Sequence, residues 1–191
     1  MRRVKILIIL AVVFYIFLWS VGWAGEKKII KFKEGISYLD IDNDGMKDII
    51  INAQFVTPFG GNLYRAYSFY LRTNKGILLY IPIQQNKGSE AVIYTFSKFG
   101  GCGGELTNIS GLRMIKIGEE TYLIFTEKNC GSFEKLFNGK CKFKVDIYKY
   151  DSEDKVFVNY KTTVINELYC DANEIFIYKT QYILNLLKEG K

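Results

Sequence analysis

The chain has 191 residues, of which 49% are hydrophobic and 16% aromatic; this excludes a disordered tail and suits one domain with enough bulk to bury a core. Three of its 26 basic residues, Arg2, Arg3 and Lys5, lie in the first 24 positions, where there is no acid. The remainder therefore carries 23 basic against 20 acidic residues, a net +3 that gives no reason to expect nucleic acid as a partner. Histidine is absent, which removes every Ser-His, Cys-His and His-ligated metal mechanism.

In chain order, the first feature is a targeting segment. Arg2, Arg3 and Lys5 are followed by the apolar run Ile6 to Val21 and by the small residues of Gly22-Trp23-Ala24, the layout of a secretory leader cleaved after residue 24. The alternative is an uncleaved anchor, since Ile6 to Ala24 is close to the roughly 18 to 20 residues that span a bilayer. No cysteine closes this segment, so lipid attachment there is not expected. Both readings export residues 25–191 as a single domain to the periplasm or the medium, and contact with a membrane is expected only through an uncleaved leader. Pro58 and Pro82 are the only prolines and begin no proline-rich linker, so no second folded domain is expected.

Ile29 to Phe32 reads as a short edge strand. Next comes the stretch whose residue types and spacing specify a chemistry, Ser37 to Ile51, SYLDIDNDGMKDIII. Asp40, Asp42 and Asp44 alternate, Gly45 follows, and Asp48 closes a nine-residue loop. Calcium is a hard cation that takes six to eight oxygens, and alternate residues of a tight loop aim carboxylates at one centre. Gly45 permits the sharp turn, and Met46 would contribute its backbone carbonyl, so an apolar side chain is tolerated there. An EF-hand would carry a bidentate Glu at the twelfth position, which here is Ile51. The pattern resembles instead the Asp-x-Asp-x-Asp-Gly-x-x-Asp loop of FG-GAP and VCBS repeats, in which the ninth-position Asp completes the cage and a strand follows. A solvated acidic turn is the alternative, but four carboxylates this close repel one another unless a cation neutralises them.

Beyond the loop the pattern is one of strands. Lys47 to Val56, with its triple isoleucine, is expected to be buried on both faces in a central position. Thr57 to Asn62 turns, and Leu63 to Arg72 alternates with period two, so that these two strands form a hairpin. Ile77 to Ile83 and Ala91 to Phe96 follow. Leu112 to Ile117 and Thr121 to Lys128 flank Gly118-Glu119-Glu120 as a second hairpin. Lys142 to Tyr150 places Phe143, Val145 and Ile147 inward, and Lys155 to Tyr160 pairs back on it. Thr162 to Tyr169 is ambiguous. Asp171 with Glu174 three residues on forms a capping box ahead of an apolar stripe at helical spacing, which predicts one closing helix ended by Gly190. The expected fold is mainly β: an antiparallel meander sheet or sandwich with a C-terminal helix packed on it. A single Asp-rich loop in a chain of this length excludes the multi-bladed propellers in which FG-GAP loops occur.

Four cysteines lie in the exported part, an even number suited to an oxidising compartment. The expected disulfides are Cys130 with Cys141, which closes a loop between two strand-like runs, and Cys102 with Cys170. Other constellations carry less. Ser132 and Lys135 spell Ser-x-x-Lys, but neither Ser-Asp-Asn nor Lys-Thr-Gly accompanies them. The glycines around Cys102 lack the Lys-Ser/Thr of a phosphate loop. The aromatic stripe of Leu63 to Leu71 reads as core rather than as a ligand groove.

An exported leader, one Asp-x-Asp-x-Asp-Gly loop, the aromatic strand AYSFYL, a late YLIF strand and Tyr169-Cys170-Asp171 before the terminal stretch together resemble the CarG-like family. That resemblance implies a periplasmic protein associated with intrinsic carbapenem resistance, acting without hydrolysing the antibiotic. The expectation is thus an exported, calcium-bound, non-enzymatic protein with a small-molecule or protein ligand that the sequence does not name. An exported hydrolase of cell-wall or carbohydrate substrates is the alternative, and no catalytic residues for it can be picked out.

Overall fold

The computed structural model describes residues 27–56, 63–90, 95–101, 105–132 and 139–188. The leader, the Thr57–Asn62 turn, Cys102, Lys135 and the glycines at 103 and 104 lie outside these ranges. In chain order the described strands are β1 (Lys27–Ile30), β2 (Gly35–Leu39), β3 (Asp48–Val56), β4 (Leu63–Arg72), β5 (Leu78–Tyr80), β6 (Ile83–Gln84), β7 (Thr95–Gly101), β8 (Glu105–Asn108), β9 (Ser110–Ile117), β10 (Glu120–Asn129), β11 (Cys141–Asp151) and β12 (Val156–Tyr169). Two helices follow, α1 (Ala172–Tyr178) and α2 (Thr180–Leu186).

The strands form two sheets. The first runs β1-β9-β10-β11-β12-β6, and the second runs β2-β3-β4-β7-β8 with β5 added on β4. All pairings are antiparallel except that of β6 with β12. The expected meander is the run β9 to β12, and the ambiguous residues 162 to 169 simply prolong β12. The chain changes sheet at Ile81-Pro82, between β5 and β6, where the Pro82 carbonyl accepts from Phe157 N at 2.9 Å. A proline fits at that crossing because its missing N–H removes no ladder bond.

The layers explain the sequence pattern. Between the sheets Ile50, Phe69 and Leu71 meet Leu112, Leu123, Phe125, Tyr148 and Phe157, with the Phe69 and Phe157 rings edge-on at 5.6 Å. On the outer face of the first sheet Tyr122, Ile124, Phe143, Val145 and Ile147 lie under Ala172, Ile175, Ile183 and Leu187. The first sheet is therefore the middle layer, covered on both faces, and β10 reads as a near-continuous apolar run for that reason. Each Val, Leu, Ile or Phe side chain so buried contributes about 1.5 to 3 kcal/mol.

The triple-isoleucine strand differs from expectation. It is interior to its sheet, between β2 and β4, but only Ile50 is buried, while Ile49 and Ile51 look away from the core half-exposed. No helix covers the second sheet on that side among the described residues, so β3 alternates as a one-sided strand does. The closing helix also differs. Asp171 and Glu174 do form the capping box, but the helix divides at Lys179, with φ −114° and ψ 10°. There the Thr180 hydroxyl donates back to the Phe176 carbonyl, a contact that bends helices.

The Cys130–Cys141 disulfide joins the end of β10 to the start of β11 across 11 residues, as expected. Cys170 is also disulfide-bonded; its expected partner Cys102 lies outside the described residues.

Helix α1 seats on β9 where Gly111 leaves room. A Cβ there would stand 2.9 Å from Phe176 Cε2 and 3.3 Å from Ala172 Cβ. Gly111→Ala should cost about 1 to 3 kcal/mol by pushing the helix outward. A urea midpoint equal to that of the native chain would show that the helix does not pack so closely.

Candidate metal site

The loop Asp40 to Lys47 connects β2 to β3, which pair at its base through Leu39 and Asp48. Two left-handed residues turn it, Asn43 at φ 63° and Gly45 at φ 87°. A Cβ at Gly45 would meet nothing within 4 Å, so the backbone conformation rather than space calls for glycine there. Alternate carboxylates cap the turning amides. Asp40 Oδ2 accepts from Gly45 N at 3.2 Å, Asp42 Oδ1 from Asp44 N at 3.3 Å, and Asp44 Oδ1 from Met46 N at 2.7 Å.

Asp48 is fully buried. Its Oδ2 accepts from Ile41 N at 2.7 Å and its Oδ1 from Arg72 N at 2.9 Å. One carboxylate thus closes the loop and fixes the end of β4. The loop is also tied to the other sheet. Thr121 Oγ1 donates to the Ile41 carbonyl at 2.8 Å, and Asn43 Nδ2 to the Glu119 carbonyl at 2.6 Å. Lys116 Nζ reaches the Asp40 carbonyl and Asn43 Oδ1, the latter at 2.6 Å. Lys116 and Thr121 carry no motif; only the pairing of β9 with β10 brings them to the loop.

Of the expected ligands, Asp40, Asp42 and Asp48 come together: one oxygen from each lies within 4.8 Å of the others. Asp44 is outside that set, next to Asp42 on the rim of a depression of about 270 Å³ that Arg72 and Lys155 also line. Asp40 Oδ1 is buried and has no hydrogen-bond partner. Burial raises the Asp42 carboxyl above its usual range, and the charges of Asp44 and Asp40 add to the rise. Burial likewise raises Asp48, against the two amides that hold it. The buried Tyr150 hydroxyl lacks a partner as well; burial first, then the field of Asp42, Asp48, Asp151 and Asp44, holds its proton well above the usual range. A cation suits this donor set: hard oxygens at close quarters, one of them without a partner, and too little positive charge among them.

The Ser132–Lys135 pair and the glycines around Cys102 lie partly outside the described residues. Phe69 and Leu71 of the aromatic strand are core. Away from the loop, the buried Asp146 has both oxygens occupied, by Lys144 Nζ at 2.8 Å and Thr162 Oγ1 at 2.6 Å, which is a structural ion pair.

Thr121→Val keeps the side-chain shape but leaves the buried Ile41 carbonyl without this donor, and should cost about 1 to 3 kcal/mol in chemical denaturation. A loss below about 0.5 kcal/mol would mean that the tie between loop and hairpin is not energetically significant.

No protein-family model matches the chain, and no curated protein matches it at a significant level. A solved structure described as the crystal structure of CarG aligns with it at a TM-score of 0.57 and 23% sequence identity, over 79% of this chain and 94% of that one. At that identity the likeness is one of fold: the chain is folded like CarG.

Proposed function

We propose that this is an exported, calcium-stabilised binding protein of the CarG-like kind that acts without catalysis. The observation that carries the calcium reading is the convergence of Asp40, Asp42 and Asp48, together with a buried Asp40 oxygen, Oδ1, that has no hydrogen-bond partner. Those three side chains would hold the ion, and the loop pattern adds Asp44 and the Met46 carbonyl. Bound there, calcium supplies positive charge to a cluster whose own burial and mutual repulsion resist ionisation. Export is supported by the disulfides, which persist in oxidising compartments, together with the apolar N-terminal run. The fold likeness to CarG supports the family reading, and with it a role in carbapenem protection by binding rather than hydrolysis.

Binding confined to the native state adds about 2.7 kcal/mol when calcium stands a hundredfold above its dissociation constant, or about 5 to 10 °C in the melting midpoint of a domain this size. A chelator should remove that increment from the whole transition. Asp42→Ala should match the chelated protein and ignore added calcium. Identical melting curves for native protein with calcium, native protein with chelator and the variant would reduce the loop to an acidic turn. A carbapenem incubated with the purified protein should keep its ring absorbance; its loss would establish a hydrolase instead.

The pH dependence has a definite sign. Asp42 and Asp48 have folded pKa values above the unfolded 3.8. Without metal, their contribution favours folding fully below that value and is lost as the pH rises through the folded pKa. The midpoint gain from calcium should therefore be small in acid and should grow with pH up to neutrality. A gain that is constant across that range would mean that these carboxylates do not hold the ion.

A further inference from the structure

Among the described residues, the buried side-chain atoms without a hydrogen-bond partner are Asp40 Oδ1, Asn52 Oδ1 and Tyr150 Oη. Tyr150 is 9% exposed, and the other buried tyrosines of its sheet are satisfied at the hydroxyl. Tyr122 Oη donates to Glu120 Oε2 at 2.7 Å, and Tyr148 Oη accepts from Gln85 Nε2 at 2.7 Å. The Tyr150 ring stands edge-on to Phe157, centroids 5.4 Å apart, in the core that also holds Ile41 and Leu71. Those two residues border the acidic loop. Ile41 lies between Asp40 and Asp42 and gives its amide to Asp48, and Leu71 precedes Arg72, whose amide Asp48 also takes. Asp42 and Asp48 act on the Tyr150 hydroxyl more strongly than Asp151 does, although Asp151 is its neighbour in sequence. The hydroxyl is thus turned to the loop and not to the turn that follows it.

A hydroxyl buried without a partner is unfavourable, and packing gives no reason for it, because phenylalanine would make the same ring contact with Phe157. A cation in the loop supplies the reason. Carboxylates that hold calcium stay ionised, and each has lone pairs left to accept a further bond. We infer, on the footing of the calcium reading above, that Tyr150 is a positioning residue of the metal site: its hydroxyl donates to the oxygens gathered around the ion. It then has a partner only when calcium is bound. Groups that bond to metal ligands from behind orient them, and losing one typically costs about 10- to 100-fold in metal affinity. The hydroxyl therefore acts with opposite signs in the two states. It weakens the metal-free fold and strengthens the hold on calcium.

Tyr150→Phe removes the oxygen and keeps the ring. Calorimetric titration of the purified chain with calcium, and its melting midpoint in chelator, read the two signs separately. The variant should bind calcium about 10- to 100-fold more weakly than the native chain, yet melt in chelator at the same temperature or higher. Tyr148→Phe removes a buried hydroxyl that does have a partner, Gln85; it should melt lower in chelator and keep the native calcium affinity. Equal calcium affinities for the native chain and Tyr150→Phe would overturn the inference and leave the calcium site standing. So would an equal loss of affinity in Tyr148→Phe. A Tyr150→Phe chain that melts below the native one in chelator, or fails to fold, would overturn it too, since the hydroxyl would then be held within the metal-free core. Native protein that takes up no calcium would instead sink the calcium reading itself, and this inference with it.

Discussion

The buried carboxylate of Asp48 is the constraint from which the rest of the arrangement follows. It is fully buried, and charge-assisted bonds to the amides of Ile41 and Arg72 hold it on both oxygens. Such bonds are roughly twice as strong as neutral ones, and an ionised group without them would be costly in this position. By taking one amide from the loop and another from the end of β4, Asp48 sets the register in which β2, β3 and β4 meet. That register places Ile50 opposite Phe69 and so determines which side chains reach the first sheet.

The two sheets are unequal because, among the described residues, the helices lie over the first, and only the N-cap end of α1 reaches the second, where Asp171 accepts from Asn108 of β8. The first sheet is buried on both faces, so alternate residues of β10 supply two different cores: Leu123 and Phe125 face the second sheet, while Tyr122 and Ile124 face α1 and α2. The second sheet lacks a third layer among the described residues, and its outward side chains stay exposed. The same chemistry, β-branched and aromatic residues in strands, therefore gives a closed core in one layer and an open apolar face in the other.

What was legible in the sequence was local. The Asp-rich loop could be read because its contacts span two to seven residues: Asp42 to Asp44, Asp40 to Gly45, Asp48 to Ile41. The Cys130–Cys141 bridge could be read because it closes one loop between neighbouring strands, and the capping box of Asp171 and Glu174 because it lies within a single turn. What depended on layer order could not. Ile49, Ile50 and Ile51 look alike in sequence, and which of them is buried depends on a helix more than 120 positions later covering the other sheet. Lys116 and Thr121 reach the loop from 76 and 80 residues away, a distance over which no spacing rule operates. The helix break at Lys179 was hidden because its cause, a Thr180 hydroxyl turned back on the Phe176 carbonyl, is a matter of rotamer.

The hydrogen bonds of the loop also determine what a cation would do there. The amides of Asp44, Gly45 and Met46 are already taken by Asp42, Asp40 and Asp44, the two left-handed residues are set, and Lys116 and Thr121 hold the far side. A loop so constrained has little conformational entropy left to lose, so the proposed ion would act on charge far more than on chain order. Relief of repulsion from Asp42 and Asp44 then favours the ionised form of their buried neighbour Asp48, which burial first and those two charges next oppose. Asp48 belongs at once to the loop and to the β3–β4 register. Its ionisation therefore couples the ion to the core between the sheets, and for this reason the effect of the metal should extend over the domain instead of ending at the loop.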